Sequence, residues 1–280
     1  MVSLILPVYK TPIFTEAALL SLASRTVGDD CELVVILNSS SKRLEKRIEQ
    51  LQSRFSSLLV EVEEENLGPS SSYNRGAELS NGDILVLLAS DLVFPEYWLE
   101  RLLEIKQDPT IGVLSALSWS ITGAATPLSY QLFRRFQAWK EKKKWKTAKS
   151  YLEALDDFYE GGYENFCEMI WRQYGTRVID GFSQAPMISK SLFEEIGGFD
   201  PQLDSGYQDF DFCKKIEERG FRIQVAVGVY IHHWIGATSS KFPRKDEAKN
   251  RRILDDRYGT FPSNERESAP ISEKVFRAAS

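Results

Sequence analysis

Along the first 118 residues, short apolar runs alternate with longer amphipathic stretches, and turn-forming residues close most of the runs. Residues 2–6 (VSLIL) end at Pro7, and residues 32–37 (ELVVIL) end at Asn38 and three serines. Near-continuous apolar runs of this kind predict strands buried on both faces, as in a parallel sheet. The stretch between them, 13–23, suits a helix. Leu44, Ile48, Leu51 and Phe55 then fall on one helical face, with charged residues covering the rest. Residues 58–62 predict a third strand. Residues 70–79 predict a helix closed by Asn81 and Gly82. Residues 83–88 (DILVLL) form a fourth strand, Pro95 opens a helix whose Trp98, Leu102 and Ile105 face inward, and residues 111–117 form a fifth strand. Repeated β-α units imply an α/β fold: a Rossmann-like, doubly wound, mostly parallel sheet flanked by helices.

The pattern changes after this point. Residues 131–174 lack strand-like runs and are crowded with aromatic and charged side chains, which predicts a helical insertion within one domain. Short strands and helices return over 178–235. Beyond residue 241 the chain is polar, with Pro243, Pro262 and Pro270, and reads as a loosely packed helix with a frayed end. The expected organisation is a first half over 1–118, the insertion over 119–178, a second half of the same domain over 179–240 and a tail over 241–280.

Composition narrows the classes. A net charge of −5 argues against a dedicated nucleic-acid binder. No apolar run approaches the roughly 18 residues of a membrane span, and MVSLILPVYK lacks the features of a signal peptide. Cys31, Cys167 and Cys213 are far apart and in no metal-like spacing, so a reduced, cytoplasmic setting is expected.

In open α/β sheets ligands bind beyond the carboxyl ends of the strands. That rule selects Pro7-Val8-Tyr9, Leu37-Asn38-Ser39, the Asn66-Leu67-Gly68 loop and Ala89-Ser90-Asp91. Tyr9 either stacks on a flat base or anchors the surface. Asn38 either contacts a ribose or caps the next helix. Asp91 ends a buried strand, where a carboxylate either holds a hard divalent cation beside substrate phosphates or caps the helix near Pro95. Residues 197–223 form a second rich region, with Asp209 and Asp211 in the expected first turn of a helix. Carboxylates there are stabilised by free backbone N–H groups and are either structural or, in a cleft, a general base. His232 and His233 end a strand-like run and point to opposite faces, so at most one enters a site.

Taken in order, these segments resemble the family 2 glycosyltransferases with the GT-A fold, in particular their rhamnosyltransferase-like branch. VSLILPVYK is similar to the family's opening strand and nucleotide loop, and NLGPSSSYNRGAELSNGDILVLLASD to the segment leading into its metal motif. GFSQAPMISKSLFEEIGGFDPQLDSGYQDFDFCKKIEERG resembles its acceptor-side segment, and HHWIGATS its closing histidine loop. The likeness covers residues 2–118 and 179–240. It implies an inverting transfer of a sugar from a UDP-, dTDP- or GDP-sugar to a hydroxyl of a glycan or lipid-linked acceptor, in polysaccharide or glycoconjugate synthesis. Tyr9 would lie against the donor base, Asn38 and Asn74 near the nucleotide, and Pro7, Asn66, Gly68 and Ser90 in the donor loops. Asp91 matches the final aspartate of the metal motif, and His233, followed by Gly236 and Thr238, fits the histidine loop. Together they would hold Mn2+ or Mg2+. Asp209 matches the base, with Gln208 and Asp211 beside it on the acceptor side.

Three positions depart from the family pattern. Leu37 replaces a base-recognising aspartate, Ala89 the first polar residue of the metal motif, and Gln208 the glutamate before the base. These departures keep open a catalytically degenerate binding relative; a nucleotidyltransferase on a similar sheet lacks an acceptor-side motif. The insertion adds Arg134, Arg135, Lys140, Lys142, Lys143, Lys144, Lys146 and Lys149, interleaved with Phe133, Phe136, Trp139 and Trp145. Residues 131–149 therefore read either as a peripheral contact with the inner membrane face or as a solvated helix paired with acidic residues 153–168.

Overall fold

The computed structural model describes residues 1–26, 30–39, 42–119, 127–140, 145–203, 206–237 and 247–259, with side chains throughout except at 43, 127–131, 133 and 247. The first half alternates as its apolar pattern predicts: β1 (Val2–Val8), α1 (Pro12–Arg25), β2 (Cys31–Asn38), α2 (Lys42–Leu51), β3 (Leu58–Glu63), α3 (Gly68–Leu79) and β4 (Ile84–Leu87). A two-residue strand β5 (Leu92–Val93), α4 (Trp98–Ile105) and β6 (Ile111–Leu117) follow. The insertion forms α5 (Pro127–Lys140), α6 (Ala148–Phe158) and α7 (Tyr163–Tyr174). The second half adds β7 (Val178–Asp180), β8 (Gln184–Ser189), α8 (Lys190–Glu195), α9 (Gln208–Glu217), β9 (Arg222–Tyr230), β10 (His232–His233) and α10 (Glu247–Tyr258).

Eight strands form one sheet in the order β3-β2-β1-β4-β8-β6-β9-β7. The β1–β2, β2–β3, β1–β4 and β6–β9 pairs are parallel, and their runs are buried on both faces in β1, β2, β6 and β9. Strand β8 runs antiparallel between β4 and β6, and β7 is an antiparallel edge on β9. The doubly wound order thus breaks at β8, because an apolar run records burial but not strand direction. Helix α3 lies close against β1. A Cβ on Gly76 would meet Ile5 Cγ2 at 2.2 Å, so only glycine permits this approach. The carboxyl ends of β1, β2 and β4 thereby open beside the first turn of α3.

The insertion packs inward. Phe136, Tyr151, Tyr159 and Tyr163 are buried against Trp119, Tyr230, His232 and Trp234. Trp139 contacts Phe136 and Phe158, and Trp145 contacts Tyr151 and Trp234. The aromatics that suggested a membrane face therefore fill a second core, since Phe136 of α5 packs against Trp119, His232 and Trp234. Arg135 pairs with Glu160 at 3.0 Å and Lys149 with Glu153 at 3.7 Å, both solvent-exposed contacts within the acidic segment. Phe133's side chain and residues 142–144 lie outside the described set. No described helix is long and apolar enough to cross a membrane.

Helix α10 is held more firmly than its polar sequence suggests. Arg257 Nη1 and the Tyr258 hydroxyl donate to Asp211 Oδ1 at 2.8 and 2.9 Å, and Arg257 Nη2 donates to Asp200 Oδ2. Lys215 Nζ stands 2.9 Å from Asp211 Oδ2 as an ion pair. Asn250 Nδ2 donates to Gly206 O at 3.2 Å, fixing the turn that leads into α9. Asp211 is fully buried, so truncating its main partner strands a charge. Arg257→Ala is expected to cost roughly 1–3 kcal/mol in urea unfolding, less than a fully orphaned buried charge because Lys215 remains. An unchanged midpoint would show that α10 does not brace α9.

Candidate active site

The site begins where β4 stops. Leu88 to Asp91 leave the sheet, and β5 then pairs antiparallel with β10, with His233 opposite Leu92 and His232 opposite Val93. Trp234 N donates to Asp91 O at 3.0 Å and closes the short ladder. This register brings His233 Nε2 to 3.2 Å from Asp91 Oδ1, with both side chains mostly shielded from solvent. Ala237 N donates to Asp91 Oδ2 at 3.4 Å. Burial alone pushes the Asp91 carboxyl up, but the charge and hydrogen bond of His233 and the Ala237 amide draw it below the ordinary carboxylate range. Asp91 is therefore an anion at neutral pH.

Strand alternation sends the neighbouring imidazole to the other side. His232 is fully buried, its Nδ1 is 2.9 Å from the Tyr159 hydroxyl, and the Trp119 ring meets it edge-on. Tyr163 on α7 fastens both short strands: its hydroxyl donates to Val93 O at 2.6 Å and accepts from His232 N at 2.9 Å.

Asp209 lies exposed in the first turn of α9, just after Tyr207, which is held at φ 65°. Tyr73 on α3 links it to the β4 end. The Tyr73 hydroxyl donates to Leu88 O at 3.0 Å, and burial, the charge of Asp209 and the charge of Asp91 all push its phenol well up. Both carboxylates thus lie within electrostatic reach of one tyrosine, and the surface around it is the mouth of the candidate site.

Several residues expected near a nucleotide hold the loops at the strand ends in place. Asn38 is buried, accepts from Leu67 N at 3.0 Å and donates to Ser72 Oγ at 3.0 Å. Its amide is committed to holding the 66–68 loop against the end of β2. Asn66 Oδ1 accepts from Gly68 N at 3.2 Å, and Gly68 has φ 77°, a left-handed turn that glycine enters without strain. Asn74 clips the Phe199 backbone, donating to its carbonyl at 2.8 Å and accepting from its amide at 2.9 Å. Ser90 lies 3.3 Å from Thr11 Oγ1, joining the first loop to the Asp91 loop. Pro7 and Tyr9 are half-buried at the end of β1, with Lys10 Nζ 4.8 Å from the Tyr9 ring centre. Gln208 is half-buried at the start of α9. Asp211, expected on the acceptor side, points into the fold toward Arg257 and Tyr258.

The family model of Glycosyl transferase family 2 matches residues 3–196. The chain belongs to this family. Glycosyltransferase AglE of Haloferax volcanii is 31% identical over 101 residues, covering 36% of this chain and 33% of AglE. Among solved structures, the Pyrobaculum calidifontis mannosyltransferase PcManGT, in complex with GDP-Man and Mn2+, has a TM-score of 0.57 at 17% identity, covering 86% of this chain and 59% of that one. GalNAc-T7 with UDP, GalNAc and Mn2+ has a TM-score of 0.56 at 17% identity, covering 83% and 43%. S. aureus TarS with UDP has a TM-score of 0.55 at 16% identity, covering 91% and 70%. These likenesses establish the GT-A fold. The chain spans about a third of AglE's length and less than two thirds of PcManGT's.

For a family 2 site, the donor set for a cation is small. Among the described residues no three His, Cys, Asp or Glu side chains converge as a metal cluster. Asp91 and His233 nevertheless fit two adjacent positions of an octahedral ion, because ligands at 2.0–2.1 Å on such an ion lie about 3 Å apart. Their oxygen and nitrogen are 3.2 Å apart. Substrate oxygens and water would complete the shell.

Two residues enter this site that sequence patterns did not single out. Tyr73 sits inside the asparagine- and glycine-spaced segment, one position before Asn74, and only the helix register reveals that it faces the mouth. Lys140, read as part of a basic stretch, donates to Trp234 O at 3.1 Å and Ile235 O at 2.7 Å. Ile235 is β-branched and held at φ 55°, a strained conformation.

His232 gives the site region a pH signature. Burial foremost, then the charges of His233 and Lys140, hold its pKa well below the usual imidazole value. The unfolded chain therefore takes up this proton first, so the His232 contribution is complete above about pH 6.5 and is lost below it by about 1.4 kcal/mol per pH unit. Urea unfolding between about pH 7.5 and 5.5 should show this slope, and His232→Phe should remove it. An identical slope in the variant would place the titrating group elsewhere.

Proposed function

We propose that this chain is an inverting glycosyltransferase that moves a sugar from a nucleoside-diphosphate sugar to an acceptor hydroxyl. The carrying observation is that Asp91, paired with His233 at the end of β4, and Asp209, at the start of α9, both lie within electrostatic reach of Tyr73, whose hydroxyl bonds the end of β4. One carboxylate lies where open α/β sheets bind ligands, and the other sits opposite it on the acceptor-side segment. Family membership supports glycosyl transfer as the reaction class, and the acceptor-side and histidine-loop segments support the rhamnosyltransferase-like branch.

In this reading Asp209 takes the proton from the acceptor hydroxyl while that oxygen attacks the anomeric carbon. The bond from the anomeric carbon to the diphosphate oxygen breaks with its electron pair leaving on the diphosphate, and attack from the opposite face inverts the centre. An exposed aspartate in a helix first turn is stabilised as an anion, which a base must be. Asp91 and His233 would hold Mn2+ or Mg2+, which would supply positive charge against the departing diphosphate. The Mn2+ in the PcManGT and GalNAc-T7 structures supports a divalent ion. The chain's own fixed groups would orient the substrates: Asn38 and Asn74 set the loops, and Tyr73 ties α3 to the end of β4.

The donor class stays broad because of what one strand end lacks. Leu37 is fully buried in β2 and presents no acceptor to a base, so recognition of uracil by a carboxylate at this position is absent. UDP-, dTDP- and GDP-sugars all remain in the proposed donor class, in line with the GDP-Man and UDP complexes of the similar structures. The acceptor is proposed to be a glycan or lipid-linked glycan in polysaccharide or glycoconjugate synthesis at the cytoplasmic face, with the exposed Arg134 in residues 131–149 facing an anionic membrane.

Transfer and donor hydrolysis measured over UDP-, dTDP- and GDP-sugars with Mn2+ test this. Asp209→Asn is expected to lower kcat by about 10²–10⁴-fold with little change in donor affinity, the range for loss of a general base. Retained turnover would remove Asp209 from the mechanism. Nucleotide binding without turnover on any donor would instead mark a non-catalytic relative.

A further inference from the structure

The insertion delivers an ammonium to the turn that follows His233. Lys140 is the last residue of α5, and its ammonium is held by the carbonyls of Trp234 and Ile235, with the Trp234 ring centre 4.5 Å away. The same turn carries His233 and offers the Ala237 amide to Asp91. Lys140 and Asp91 thus grip one turn, and the negative charge of Asp91 reaches Lys140. An ammonium has three N–H donors, so two carbonyls leave one for a further acceptor. Among the described residues, the protein ligands that fit a divalent ion here are one carboxylate and one imidazole, with Ala89 adding none.

We propose that Lys140 is a donor-binding residue whose ammonium faces the diphosphate of the nucleotide sugar. Part of the positive charge at this site is then built into the chain and does not depend on the divalent ion. The inference rests on the transferase reading and deepens it. The helical insertion, which packs by its aromatics, thereby also carries a charge to the donor and couples donor binding to its own seating on β10.

Calorimetric titration of UDP, dTDP and GDP, each in excess EDTA and in Mn2+, tests this. In EDTA the wild-type chain is expected to bind at least one of the three. Lys140→Met, which keeps the aliphatic stem, is expected to bind that nucleotide about tenfold or more weakly, the scale of one charge-assisted hydrogen bond to phosphate. Lys140→Arg is expected to recover most of the affinity. In Mn2+ the deficit of Lys140→Met should shrink, whereas a purely structural lysine would lower the thermal midpoint and weaken both conditions alike. On the wild-type chain, nucleotide in EDTA should also protect Lys140 from acetic anhydride, read by mass spectrometry. Equal affinities of wild type and Lys140→Met in EDTA, or unprotected Lys140 with nucleotide bound, would overturn the inference and leave the transferase reading standing. Wild type that binds only with Mn2+ would do the same. Failure to bind any of the three in either condition would overturn both.

Discussion

The short antiparallel pairing of β5 with β10 is the constraint on which the site depends. It is only two residues long on each side, yet it joins the end of β4 to the far end of β9 and sets Asp91 against His233. A carboxylate this shielded would be costly without a partner, and the register supplies one. The pairing cannot stand by itself, because two-residue strands bury too little. Tyr163 bonds to both strands, and the packed aromatics behind His232 fix their depth.

That dependence explains why the insertion is part of the active region. α7 contributes Tyr163 and the residue after α6 is Tyr159, both bonded to His232, while Lys140 at the end of α5 holds the Trp234 and Ile235 carbonyls that follow β10. On the other side, α10 braces the start of α9 through Asp211 and Gly206. Asp209 therefore stands on a helix anchored from below while its own side chain remains at the surface. The two carboxylates of the mouth are held by different means: Asp91 by burial and an ionic contact, Asp209 by its place on a braced helix.

Much of the first half was legible in the sequence, since strands buried on both faces leave continuous apolar runs and the helices between them show one-sided periodicity. Strand direction was not, so β8 entering antiparallel between β4 and β6 was unforeseen. The positions of Asp91, Asp209 and His233 were legible as motif positions, but the contact between Asp91 and His233 needs a cross-strand register 142 residues apart in sequence (233 − 91). Asn38 and Asn74 show the opposite limit: side-chain amides suited to a nucleotide are equally suited to backbone groups, and here the loops claim them. Lys140 was hidden in a basic run because charge counts do not say which lysine turns inward.

The central claim is that a nucleoside diphosphate lies between Asp91 and Asp209 at the carboxyl end of β4. Diffraction from crystals grown with a nucleoside diphosphate and Mn2+, recorded at the manganese absorption edge, measures this directly. The account predicts an anomalous peak within bonding distance of Asp91 Oδ1 and His233 Nε2, with the diphosphate bound on the side facing Asp209. A nucleotide seated elsewhere on the sheet, or manganese bound away from Asp91, would contradict it.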